Sequence, residues 1–393
     1  MTDTPQPAPQ LPLDGVTVVD FTQVMMGPCA TQMLADYGAD VIKIERPGTG
    51  DLSRTAFPND PAGLLGPVFC SLNRNKRSVV LDTRRPENRN AVLRLIERSD
   101  VVVSNFRAGV MDRMGFGYDA LSRLNPRLIF AEGSGYGSSG PYAYKGGQDL
   151  LAQAMTGVMY RRSAPDVPVT VPGVTFADYC AGMHLVQGVL LALLQRDKTG
   201  RGQRVEVSLH DSMLAAQMQE GTAHLMRGAE VNWASMPLSG VFETSDGALV
   251  MVGAFKADPL GEIAKALDLP ELATDPRFAG FDLQMRNRPA LQAIFRERFR
   301  QNDTAYWIGR LEAQDLLCAP VRSLAEALED EQVAVNGMVL EAPGNAETVR
   351  AIGSPVHLAD APVGIRIAPP HLGQHTGEVL AELGLTLAET GSD

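Results

Sequence analysis

Apolar residues in the first half of the chain recur with two alternating periods. Residues 16–21, Val-Thr-Val-Val-Asp-Phe, have the length and β-branched content of a buried strand. Residues 27–37 carry apolar side chains at helical spacing up to Gly38, and 41–45 are again strand-like. The alternation continues with strands at 78–81, 101–103 and 128–132 and a helix at 86–98. Short strands separated by helices of this length predict a parallel sheet covered on both faces. A long apolar helix is expected at 181–196, ending at Thr199-Gly200-Arg201-Gly202, followed by a strand at 204–209 and a helix at 211–226.

Beyond a polar stretch at 227–239 the pattern changes. Apolar runs at 242–244 and 248–253 flank Ser245-Asp246-Gly247, a hairpin signal, and helical spacing follows at 259–267, 289–300 and 304–313. From Gly337 come two short strands, an extended run punctuated by Pro355, Pro362, Pro369 and Pro370, and a last helix at 376–383. So little core of its own implies that this segment wraps back over the first domain. The fold class that follows is α/β. A Rossmann-like large domain with a parallel sheet is expected over 11–226, a smaller α+β domain over 237–325, and a C-terminal segment, 337–393, that returns to the large domain, the parts being joined by linkers.

Composition narrows the function more than the fold. The 393 residues, 45% hydrophobic and 21% charged, are ordinary for two or three soluble domains, and the net charge of −11 works against non-specific nucleic-acid or anionic-membrane binding. An anionic ligand therefore needs a local cluster of cations. Cys29, Cys70, Cys180 and Cys318 are scattered without a Cys-x-x-Cys pair, which points to reduced thiols and a cytoplasmic location, with no metal site. The longest apolar run, residues 185–194, is too short to span a bilayer. Neither nucleic acid nor membrane is expected as a partner.

Candidate chemistry gathers near strand ends, where open α/β sheets bind ligands. The first βα turn, Gln23-Val24-Met25-Met26-Gly27-Pro28, lacks the glycine fingerprint of dinucleotide binding, which argues against a nicotinamide dehydrogenase. Arg46, directly after Glu45, is either a solvated surface side chain or the partner of a phosphate. Asn73-Arg74-Asn75-Lys76-Arg77-Ser78 reads as a solvated charge run or as a site where amides add direction to point charges. Asn105, Arg113 and the segment Gly133-Ser134-Gly135-Tyr136-Gly137 occupy comparable positions. Asp178, just upstream of the long helix, is either its N-cap or an ionised carboxylate with room for a ligand beside it. No Gly-x-Ser-x-Gly, phosphate-binding P-loop or His-Glu-x-x-His is present.

Taken in order, these segments resemble the class III CoA-transferases, the family of formyl-CoA transferase and carnitine CoA-transferase. The resemblance runs from Leu13 to about Gly384. It rests on Leu13-Asp14-Gly15-Val16 with Asp20-Phe21, the run Gly38-Ala39-Asp40-Val41-Ile42-Lys43-Ile44-Glu45, Asn75-Lys76-Arg77-Ser78, Asp112-Arg113-Met114-Gly115, Lys198-Thr199-Gly200-Arg201-Gly202-Gln203 and Leu372-Gly373-Gln374-His375-Thr376. It implies that Asp178 is a covalent nucleophile, attacking an acyl-CoA thioester to give an anhydride, then an aspartyl-CoA thioester that passes CoA to an acceptor carboxylic acid. It further implies CoA contacts at Val24, Met25, Arg46, Leu72, Asn73, Arg74, Asn75, Asn105 and Arg113, with backbone donors near Gly135 and Tyr136 facing developing oxyanions. CoA and acyl-CoA enter as substrates, no cofactor is permanently bound, and two subunits form an interlocked-ring homodimer. Met25 stands where formyl-CoA transferase carries Gln, and a run of glycines typical of that enzyme is missing, which points away from formyl-CoA and oxalate.

Two other functions stay open at this level. One is an α-methylacyl-CoA racemase-like enzyme, and the other is a non-catalytic acyl-CoA-binding protein. The racemases pair the matching aspartate with a histidine in a Gly-His-Asp segment; here that segment reads Gly147-Gln148-Asp149. A Gln amide cannot trade a proton near neutral pH, which favours transfer.

Overall fold

The computed structural model describes residues 10–57, 65–342 and 349–386. They form two compact units, one of Met1–Val158, Pro172–Gln217 and Glu331–Asp393, the other of Met159–Val171 and Met218–Asp330. Residues 159–171 and 218–226, which the apolar pattern placed with the large domain, group with the second unit. The single helix expected at 211–226 is in fact two, Leu209–Ala215 and Met218–Arg227, and the division between units falls in the break.

The first unit is built on six parallel strands: β1 (Thr17–Asp20), β2 (Asp40–Glu45), β3 (Lys76–Val80), β4 (Val101–Ser104), β5 (Ile129–Ser134) and β6 (Arg204–Ser208), in the order β3-β2-β1-β4-β5-β6. Val18 pairs in register with Val41 on one side and Val101 on the other. Burial on both faces explains the near-continuous valine and isoleucine content of the central strands. Val19, Ile42, Val102 and Phe130 face one helical layer, which includes Val379, Leu380 and Leu383 of the returning C-terminal segment. Val18, Val41, Val101 and Ile129 face the other, where Ala30 and Leu34 of helix α1 (Met26–Asp36) meet Leu185, Val186 and Val189 of the helix Phe176–Thr199.

That last helix is eight residues longer than the stretch 181–196 read from the sequence. Its 24 residues are long and apolar enough to cross a membrane by length and composition alone. Packing of one face against the sheet accounts for much of that apolarity.

The C-terminal segment is tied to the sheet by polar contacts. The Asn75 amide donates to Gly364 O, its Oδ1 accepts from the backbone N–H groups of Arg366 and Ile367, and Arg77 pairs with Glu378 and Glu382 of the helix Thr376–Glu382.

In the second unit β7 (Ser239–Glu243), β8 (Ala248–Val252) and β9 (Leu317–Pro320) form an antiparallel sheet, of which β9 had no readable signal. Phe242, Phe295, Phe299 and Trp307 fill its core, with the Phe242 and Phe299 rings stacked 5.0 Å apart. Other elements missed in the sequence, such as Pro67–Leu72 and Asp149–Met155, are under two turns long and leave no measurable period.

Candidate active site

The strand order reverses between β1 and β4, where a crevice opens beyond the carboxyl ends of the strands. A cavity of about 330 Å³ lies there, lined by Gln23 to Met26 after β1, Leu52 after β2, Asn105 to Arg107 after β4, Ser134 and Gly135 from β5 and the turn after it, and Gly147, Gln148, Leu209 and Asp178. A second cavity of about 600 Å³ shares Gln23 and Phe106 and continues past Arg46, Asp82, Thr83, Arg84 and Arg85. The two lie side by side along one sheet edge.

Asp178 is not a cap. The helix starts at Phe176 with Thr175 as N-cap, which puts Asp178 in the first turn. A Cβ on Gly182 would lie 2.8 Å from Met26 O, so only glycine lets this helix approach α1 closely enough for Asp178 to share the cavity with Met25 and Met26. The Asp178 backbone N–H donates to Asp149 Oδ1 at 3.0 Å, and Asp149 Oδ2 accepts from Gln153 at 2.5 Å. Asp149 is fully buried and both its oxygens accept locally, while the Asp178 carboxylate has no hydrogen-bond partner among the described residues. Burial, reinforced by the charge of Asp149, pushes the Asp178 pKa up to about 7. Burial likewise pushes the nearby Cys29 thiol up to about 11, so at neutral pH it stays a protonated, weak nucleophile.

The structure brings some sequence-predicted residues together and separates others. Val24, Met25, Asn105 and Gly135 line the cavity with Asp178, and Arg46 lines its neighbour. The side chain of Asn105, however, is turned onto the loop after β1, accepting from Gln23 N and donating to Gln23 O, both at 2.8 Å. Arg113 is exposed on the short helix Val110–Met114 and borders neither cavity, although Met114 lines the larger one. At Tyr136 the expectation concerns the backbone N–H; its ring borders neither cavity and lies 5.6 Å from Tyr142 and 6.2 Å from His210.

Leu72, Asn73, Arg74 and Asn75 do not join the cavities. β3 begins at Lys76, so these four precede the strand and lie at the opposite edge of the sheet. The ligand-side end of β3 is Leu81 to Arg84. All four are buried: Arg74 makes a two-pronged ion pair with Asp36 (Nη2 to Oδ2 2.7 Å) and donates to Ile352 O, while Asn73 receives the Lys76 ammonium. Removing one partner of such a pair strands a buried charge, so Arg74→Ala is expected to lower stability by roughly 3–5 kcal/mol. The KM for acyl-CoA is expected to move less than about twofold, because the site is remote. Urea denaturation and steady-state kinetics on one preparation check both parts.

Arg107 went unnoticed in the sequence. It shares the β4 end with Asn105, and a Cβ on Gly146 would lie 2.7 Å from its guanidinium, which places a cation beside the loop carrying Gly147 and Gln148. The sequence signal was its position two residues beyond Asn105.

The sequence pattern of CoA-transferase family III matches residues 13–376. Succinyl-CoA:glutarate CoA-transferase of Mus musculus is 34% identical over 380 residues, covering 95% of this chain and 86% of its own. Acetyl-CoA:oxalate CoA-transferase of Acetobacter aceti is 34% identical over 386 residues, covering 92% of this chain and 95% of its own. The crystal structure of a CaiB/BaiF family protein from Brucella suis superposes with a TM-score of 0.85 at 32% identity, covering 95% of this chain and all of that one. With a cavity at the sheet's switch point and relatives of this similarity along nearly its whole length, the chain belongs to CoA-transferase family III and is a CoA-transferase.

Proposed function

We propose that CoA passes from an acyl-CoA thioester to a carboxylic acid through covalent intermediates on Asp178. The observation that carries this reading is the state of that carboxylate: it lines a cavity with no hydrogen-bond partner among the described residues, and its pKa is raised to about 7 by burial and by Asp149. Such a group is ionised in part at neutral pH and keeps the nucleophilicity of a more basic oxygen. Attack on the thioester carbonyl forms an acyl–aspartyl anhydride and breaks the C–S bond, releasing CoA thiolate. The thiolate attacks the aspartyl carbonyl and expels the donor acid, leaving an aspartyl-CoA thioester. The acceptor carboxylate then repeats the two steps in reverse order, receives CoA and restores Asp178.

In this reading CoA runs along the two adjoining cavities, with Arg46 and the Asp82-paired Arg84 lining the larger one beside its phosphates. Arg107 gives the Asp178 cavity a cation suited to a small acid. Relatives named for oxalate and for glutarate are equally similar at 34%, so the acceptor is read as a short carboxylic acid rather than one named compound. Gln148 favours transfer over racemisation: its Oε1 caps the helix Asp149–Met155 by accepting from Leu150 N at 2.9 Å, and an amide cannot serve as the second base. An interlocked homodimer in the cytoplasm completes the proposal, supported by the exposed Leu190, Leu191 and Leu194 on the Asp178 helix.

Incubation with acyl-CoA is expected to leave a hydroxylamine-sensitive adduct on the Asp178 peptide, detected by mass spectrometry, and a carboxylate panel should yield new CoA esters. Deuteration of a 2-methylacyl-CoA at the α-carbon without any new ester would replace this reading with racemisation. Acyl-CoA binding with neither adduct nor new ester would leave a binding protein.

A further inference from the structure

The loop that walls the Asp178 cavity after β1 holds a strained residue. Val24 has φ +68, left-handed backbone that β-branched side chains rarely adopt, and it is also apolar and 43% exposed. Strain of this kind persists only where the surroundings impose it. The Gln23–Val24 peptide is held from two sides, by the Asn105 amide on Gln23 O and by one carboxylate on the Val24 N–H. Asp51 Oδ1 accepts from the Val24 N–H at 3.0 Å and also from Ser53 N and Ser53 Oγ at 2.8 Å, capping the turn Leu52–Thr55. Its Oδ2 pairs with Lys43 at 2.8 Å, and Lys43 donates to Thr22 O at 2.6 Å, at the start of the same loop. Glu45 accepts from the Asp51 N–H. Asp51 and Lys43 are both essentially buried, so neither ion is held for solubility.

The geometry points to Asp51 as a positioning residue that ties together two contributors to the cavity wall, Val24 and Leu52, and helps to hold Val24 in its strained form. This rests on the reading of that cavity as the acyl-CoA site. Asp51 borders neither cavity itself and acts through the Val24 N–H. When the anchor is lost, Val24 relaxes to negative φ and the loop closes or shifts over the thioester position. Glycine at position 24 would adopt the same φ unaided.

The test is a double-mutant cycle on the full-length enzyme: wild type, Asp51→Ala, Val24→Gly and the pair, each measured for acyl-CoA KM, kcat and Tm. Asp51→Ala is expected to raise KM on the order of tenfold, with a smaller effect on kcat. Adding Val24→Gly is expected to recover most of that KM, whereas the Tm lost with the Lys43 partner is not recovered. If Asp51→Ala does not fold, Asp51→Asn takes its place, with a smaller KM rise recovered in the same way. KM effects that simply multiply, or a KM that stays at the wild-type value without Asp51, would overturn the proposal while leaving the hydroxylamine-sensitive adduct on Asp178 intact. Absence of that adduct from the wild-type enzyme would instead remove the functional reading beneath it.

Discussion

Replacing Asp178 with Asn is expected to cut CoA transfer by about a thousand-fold or more, the scale seen when a nucleophile is removed, and at the same time to make the protein more stable at pH 8. The first part follows from the covalent mechanism, since an amide of the same shape offers no carboxylate oxygen to the thioester. The second follows from the pKa. A folded value of about 7 against the ordinary 3.8 means that the folded state holds this proton more tightly than the unfolded one. The group therefore opposes folding wherever it is ionised in both states, above pH 7, and the penalty fades as the pH falls towards 3.8. Removing the charge should give back up to roughly 2–4 kcal/mol at pH 8 and less than about 1 kcal/mol near pH 4. Denaturant midpoints of the two proteins at both pH values, beside turnover assays, test the pair of claims. Near-normal turnover by the Asn variant would end the nucleophile assignment, and equal midpoints at pH 8 would end the account of its raised pKa.

Much of the frame for this chemistry was legible from the sequence. The alternation of apolar periods identified all six strands of the parallel sheet to within a few residues, because the central ones are buried on both faces and therefore rich in valine and isoleucine. What could not be read was which end of a strand a polar cluster occupies. Asn73-Arg74-Asn75 has the composition of a phosphate site, and only the start of β3 at Lys76 reveals that it faces away from the cavities and anchors Asp36 and the C-terminal segment instead. Buried charge was equally hidden. Asp20, Lys43, Glu45, Asp51, Arg54 and Lys76 are all at most 3% exposed, yet single charged residues in a sequence read as surface. Their burial depends on contacts between loops, such as that of Asp51 with Val24, 27 residues away. The same is true of Asp149, which reaches Asp178 across 29 residues and contributes to its raised pKa.

On the proposed mechanism this raised pKa predicts the pH dependence of the enzyme. Below pH 7 most of the free enzyme carries a protonated, non-nucleophilic Asp178, so kcat/KM for acyl-CoA is expected to rise about tenfold per pH unit from pH 5 to 6 and to level off above 7, giving roughly a hundred-fold span. An aspartate in water would finish ionising near pH 5 and leave the profile flat across this range. Because burial is the larger cause and the Asp149 charge the smaller, Asp149→Asn should move the inflection down only in part. The Asn oxygen can still accept the Asp178 N–H, so the position of the nucleophile is retained while the repulsive charge is removed. The variant should therefore be the better enzyme at pH 5.5 relative to its own plateau, even if that plateau is lower. A pH profile of kcat/KM for both proteins, at fixed ionic strength, decides the matter. A flat wild-type profile from pH 5 to 8 would mean that Asp178 is not the group titrating near 7, and an inflection unmoved in Asp149→Asn would assign the shift to burial alone.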